Sequence, residues 1–267
     1  MKTQLSVSIA KKFAALLLII VLCSHMEVHA EEARSMAYTM KRFEQYSALT
    51  PETYWKCSYP VFSGSDAATA INRTLLDAVT AVNPAKHDQG LGSLQAAATS
   101  FIAQFDALRK DLPEAMPWQS ETSGMVAYNT PGLLTVGLTI DTFTGGAHGS
   151  NFMTYFVFDA KSGKQLRLND LFVPRFEARL DKLIDRRFRE IKGLSMTDRL
   201  DSEKGTLFEN VIRHNSNFAV TGHGITFYYN PYEIAAYVYG PTEIDLQWRE
   251  LKPILNARTK SQLPAIK

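Results

Sequence analysis

At Pro117 the hydrophobic pattern of this 267-residue chain changes from a helical period to strict alternation, and that change limits the folds open to it. Before it, Ile71, Leu75, Ala78 and Val82 recur at helical spacing as far as Asn83-Pro84. Leu94, Ala98, Phe101, Phe105, Leu108 and Leu112 form a second stripe that ends at Pro113. Such spacing places apolar side chains along one side of a helix, and proline, without an N–H, stops it. Ser65-Asp66 offers the first helix an N-cap, and Gly90-Leu91-Gly92 joins the two. After Pro117, Leu134, Val136, Leu138 and Ile140 occupy every second position, the period of a strand. With residues 125–128 and the Asn129-Thr130-Pro131-Gly132 turn they predict an antiparallel hairpin.

Further elements follow from the same signals. Residues 54–62 are aromatic and β-branched, bounded by Pro60 and Gly64, and read as a strand. Residues 31–51 are polar with scattered aromatics and read as a lead-in. Residues 152–158 are apolar at nearly every position and read as a central strand covered on both faces. The turn at 159–164 leads into 165–168. Pro174 suits the first turn of a long amphipathic helix that buries Phe176, Leu180, Leu183, Ile184, Phe188 and Ile191. A short helix over 207–212 then precedes strands at 218–220, 225–229 and 234–239. Strands and helices in runs, without regular βαβ alternation, predict an α+β fold, an antiparallel sheet meander covered by amphipathic helices. The expected divisions are a signal peptide at 1–30, a strand-helix-helix subdomain at 31–117, and a sheet-plus-helix domain at 118–267.

Lys2, Lys11 and Lys12 precede the apolar run 13–22, and Val28-His29-Ala30 carries the small residues of a secretory cleavage site. Export to the periplasm or medium with cleavage after Ala30 is expected. The run is shorter than the roughly 17–25 residues of a membrane span. Cys23 raises lipidation, but the bulky Leu22 before it disfavours that route. This segment holds three of the 29 basic residues and one of the 27 acidic ones, so the remainder is charge-balanced. Nucleic acid is disfavoured as a partner. The second of the two cysteines, Cys57, then has no partner for an internal disulfide and reads as a buried thiol.

Two loops carry whatever chemistry can be read. Gly145-Gly146-Ala147-His148-Gly149-Ser150-Asn151 packs glycine around one histidine between alternating segments, and Tyr232-Glu233-Ile234-Ala235-Ala236-Tyr237 follows Asn230-Pro231. Glycine supplies positive φ or close approach, and proline fixes the backbone. His148 is read as fixing its turn rather than catalysing, because no nucleophile or acid stands at a recognisable spacing from it. His87, His148, His214 and His223 do not pair at zinc spacing, so neither metal nor cofactor is expected. The Asn72-Arg73-Thr74 sequon falls within a predicted helix and reads as accidental. Tyrosines at 228, 229, 232, 237 and 239 suit stacking on sugar or anchoring a protein, and Tyr232 is the one expected to be exposed. The candidate binding residues are Gly145, Gly146, His148, Asn151, Tyr232, Glu233 and Tyr237.

Tyr59-Pro60-Val61 with Ile71-Asn72, Gly145-Gly146-Ala147-His148, Leu168-Asn169-Asp170-Leu171-Phe172 and Tyr232 to Gly240 occur in that order. In these motifs the chain resembles the extracytoplasmic domain shared by lysozyme-sensing anti-sigma factors of the RsiV type and the region preceding the catalytic domain of certain peptidoglycan deacetylases. The resemblance covers most of residues 54–254, less so 83–118. It implies a cell-envelope binding module that contacts a lysozyme-type hydrolase or peptidoglycan-related glycan. An envelope hydrolase using His148 is the alternative. The chain departs from the family in Ala236, where proline is expected, and since no sigma-binding segment, spanning helix or deacetylase domain is read in these residues, neither an anti-sigma role nor deacetylation is expected of it.

Overall fold

The computed structural model describes residues 35–81 and 91–263. The signal segment, its Ala30 site and Cys23, together with Val82, Asn83, Pro84, His87 and Gly90, lie outside the described residues.

Five strands form the larger sheet, in the order β1 (Tyr38–Tyr46), β2 (Tyr54–Phe62), β3 (Gln119–Asn129), β4 (Leu133–Phe143) and β5 (Ser150–Asp159). All neighbours are antiparallel except β2 and β3. A parallel pair needs a long crossover. Here it contains α1 (Asp66–Val79) and α2 (Leu94–Asp111), capped by Ser65 and Ser93. The period change at Pro117 is therefore the entry into β3, which pairs with β2 across that position. Ile71, Leu75 and Ala98 of the helices pack on Trp55, Cys57, Tyr59, Leu134, Val136 and Leu138 of the sheet. Burial pushes the Cys57 thiol up to about 11, as befits a core residue.

The smaller antiparallel sheet comprises β6 (Phe218–Val220), β7 (Gly224–Tyr229) and β8 (Thr242–Gln247). Its core forms against α4 (Glu177–Lys192), through Leu180, Ile184 and Phe188. Short α3 (Leu168–Leu171), α5 (Trp248–Leu251) and α6 (Ala257–Gln262) complete the described chain. Leu133 and Val157 join this second core, and Thr135 donates to the Val220 carbonyl at 2.8 Å. Alternate residues of β4 thus feed two cores, which explains its nearly unbroken burial.

The α+β class is as predicted, and several local readings change. Residues 38–46 are not lead-in but a full edge strand, whose polar, exposed side chains conceal it. The apolar segment 152–158 lies in the edge strand β5, not a central one, and only its C-terminal half is buried. Pro174 precedes α4, because Arg175 turns at φ 65° before the helix starts at Glu177. Ile191 is exposed on that helix. Residues 207–212 form no helix: Leu207 bridges Ala235, and Leu207 and Ile212 enter the core singly. The strand expected at 234–239 is one bridge and a 3-10 turn (Tyr237–Tyr239), and the third strand is β8.

Asparagine carboxamides close exposed backbone. Asn217 accepts from the Tyr155 N–H and donates to the Met153 carbonyl, both at 2.8 Å. Asn230 accepts from the Met153 N–H at 2.8 Å and donates to its carbonyl at 3.0 Å. Together they imitate the neighbour that the β5 edge lacks and seat the smaller sheet's loops on it. Asn72 does the same for both backbone groups of Phe62, at 2.8 Å, so the sequon asparagine is structural.

Candidate functional site: an aromatic ridge between two depressions

The glycine loop crosses from β4 to β5 with Gly145 and Gly146 at φ 93° and 98°, a conformation that L side chains rarely adopt. The reversal leaves His148 exposed, its Nδ1 donating to the adjacent Gly149 carbonyl at 2.7 Å. The imidazole stacks on Tyr237, with centroids 4.3 Å apart and planes 19° apart. Tyr232 lies 5.5 Å beyond Tyr237, at 30°. Three rings from two loops far apart in sequence therefore form one ridge. One stacked and one tilted contact at these separations are favourable aromatic arrangements.

Tyr232 reaches this position through a left-handed backbone, φ 67°, and is 59 % exposed. Only a strongly held turn keeps a bulky residue there. Glu233 holds it: Oε2 accepts from the Asn230 N–H and Oε1 from the Asn215 carboxamide, both at 2.8 Å, and its own N–H donates to the Asn230 carbonyl at 3.0 Å. Since Asn230 is itself bound to β5, the tyrosine stands on a rigid support. Asn151 lies on β5 opposite Asp141 and donates to that carboxylate at 2.6 Å. The structure thus gathers His148, Tyr232 and Tyr237 into the ridge, makes Glu233 a support, and gives Gly145 and Gly146 the reversal.

A depression lies on either flank. One is a pocket of about 240 Å³ on the open sheet face, lined by Tyr54, Gln119, Glu121, Asp141, Asn151 and Tyr237 among others. The other is a cleft of about 810 Å³ bordered by Tyr232 and Glu233, between β5, the starts of α3 and α4, and residues 214–218. Sequence reasoning missed this cleft and the contact behind it, where His214 Nδ1 donates to Asp181 Oδ1 at 2.6 Å. The two are separated along the chain, and Asp181 reads from periodicity as an outer residue of α4. Among the described residues, no three His, Cys, Asp or Glu side chains form a group that could hold a metal ion.

Replacing His148 by alanine should leave the fold intact, with a loss of about 1 kcal/mol for the ring stack. Urea unfolding checks this, and a loss comparable to a core truncation would show that the ridge is part of the packing.

Two family models match the chain in succession. Residues 49–151 match the family described as "Deacetylase PdaC", and residues 169–249 match "Protein of unknown function (DUF3298)". The ridge takes His148 from the first segment and Tyr232 and Tyr237 from the second. No curated protein matches the chain. Among solved structures, a DUF3298 family member from Bacteroides fragilis NCTC 9343 is 17 % identical with a TM-score of 0.65, over 85 % of this chain and 96 % of its own. A DUF3298 family protein from Pseudomonas aeruginosa PAO1 is 19 % identical with a TM-score of 0.59, over 87 % and 97 %. At these identities the likeness establishes the fold.

Proposed function

We propose that this protein is an exported, cell-wall-related binding module that recognises peptidoglycan-type glycan along the Tyr232–Tyr237–His148 ridge. The ridge carries the reading: its rings present flat apolar faces suited to sugar C–H groups, while carboxylates and amides in the neighbouring pocket suit hydroxyls. The match to a family named for a deacetylase supports the envelope setting. Among the described residues no helix is long and apolar enough to cross a membrane.

A second reading is a protein partner, a hydrolase of the lysozyme type. Val238, 82 % exposed, and Tyr239, 51 % exposed, follow Tyr237 in the chain and favour it, because exposed apolar and aromatic groups anchor protein interfaces. Catalysis by His148 is less well supported: Nδ1 is engaged by Gly149, and no carboxylate hydrogen-bonds the ring among the described residues.

Titration with chitotriose and, separately, with lysozyme distinguishes the readings. Tyr232→Ala is expected to weaken the ligand that binds by about 1–4 kcal/mol with the melting temperature little changed. Wild-type protein that binds neither would remove the reading, and so would a Tyr232→Ala variant with unchanged affinity.

A further inference from the structure

The cleft beside the ridge has polar groups that the ridge does not use. His214 lines it, and both the backbone N–H and the ring Nδ1 of this residue engage the Asp181 carboxylate, at 2.8 and 2.6 Å. A ring nitrogen so close to a carboxylate oxygen carries the proton, so Nε2 of the neutral ring is an acceptor. Phe176 packs against the imidazole with centroids 5.8 Å apart and helps fix its plane. Glu177 adds a carboxylate to the lining and Arg167 a guanidinium, and among the described residues neither belongs to an ion pair. Gln165 and Asn169 contribute carboxamides. Phe156, Phe218 and Leu166 supply apolar surface between these groups.

Opposite charges, a fixed acceptor and carboxamides around an apolar surface complement a ligand that has a carboxylate, an ammonium and amide bonds. At about 810 Å³ the cleft is within the size range of small-ligand sites. We infer that it binds a short peptide with a free carboxylate and a free ammonium, the chemistry of the peptide branch of a muropeptide. Arg167 takes the carboxylate in a two-pronged contact, while Glu177 and His214 Nε2 accept from the ammonium and amide N–H groups. Tyr232 borders both cleft and ridge, so a sugar seated on the rings can project its peptide into the cleft. The muropeptide identity rests on the envelope reading above; the complementarity of the cleft does not.

Calorimetric titration of the full chain with the tripeptide L-alanyl-γ-D-glutamyl-L-lysine tests this. Saturable one-to-one binding is expected, weakened about tenfold by Arg167→Gln and by Glu177→Gln, and lost when the peptide's charged groups are capped. Tyr237→Ala, which alters the ridge but not the cleft lining, should leave tripeptide binding unchanged and weaken chitotriose. Absence of tripeptide binding, or binding that is indifferent to both charge substitutions and to capping, overturns the inference. Chitotriose binding without tripeptide binding removes the peptide site alone, and the converse removes the ridge reading alone.

Discussion

Phe188→Ala should lower the free energy of unfolding by about 3–5 kcal/mol, the largest loss expected of any substitution considered for this chain. The ring is fully buried on α4, in the core that α4 shares with β6, β7 and β8. Truncation removes its transfer free energy and leaves a cavity that a sheet on one side and a 16-residue helix on the other cannot fully close. Ile191, three positions later on the same helix and 55 % exposed, provides the comparison. Ile191→Ala should change stability by no more than about 0.5 kcal/mol. Urea unfolding of the two variants decides it, and equal losses would mean that the packing face of α4 is misassigned. The same helix carries Asp181 and Glu177, so Phe188→Ala should also loosen the cleft and weaken any ligand that binds there.

What the sequence made legible follows the strength of each local signal. Residues 54–62 and 218–220 form strands with the boundaries that their composition predicts, and the hairpin turn at Asn129–Gly132 joins β3 to β4. Both N-terminal helices begin after a serine whose side chain caps them. The failures have one physical origin, which is that long-range contacts override or hide local periodicity. In β1 the exposed edge position permits polar residues at most sites, so the strand lacks an apolar pattern. Residues 207–212 and 234–239 hold apolar side chains for the core without regular backbone, since each is anchored by a single bridge and by turns. The expected central strand was misplaced because residues 156–158 feed both cores from the edge of the sheet.

The site divides in the same way. Positive φ at Gly145 and Gly146 and exposure of Tyr232 were readable, because glycine pairs and proline-bounded tyrosines mark loops on their own. That His148 stacks on Tyr237 was not, as no local pattern brings together residues 89 positions apart. The supports were equally hidden: Asn217 and Asn230 look like ordinary loop asparagines until β5 is seen to lack a neighbour. A histidine four positions before a strand entry and an aspartate on a helix give no hint of the His214–Asp181 contact either.

Asp159→Asn should cost about 2–3 kcal/mol at neutral pH, and the cost should shrink in acid. Asp159 ends β5 almost fully buried, and its Oδ1 accepts from the Ser162 N–H and hydroxyl at 2.8 Å and from the Lys161 N–H at 3.1 Å. Arg258 of α6 pairs with the other oxygen, so one carboxylate ties the turn after β5 to the C-terminal helix. Burial opposes ionisation, but the Ser162 hydrogen bonds and the Arg258 guanidinium outweigh it and hold the carboxyl below its ordinary value. A folded-state pKa below the unfolded one, about 3.9, means that the stabilisation is complete above that value. It is then lost as pH falls through the folded-state pKa. Asp170 is also held low, against burial, by the Arg167 N–H and the Lys164 ammonium, so the wild-type profile alone mixes the two groups. The difference between wild type and Asp159→Asn isolates one of them. Urea unfolding at pH 7, 5 and 3 should give a gap that is equal at the first two values and narrower at the third. A gap that does not vary with pH would show that the carboxylate's charge contributes nothing and that only the shape of the turn matters.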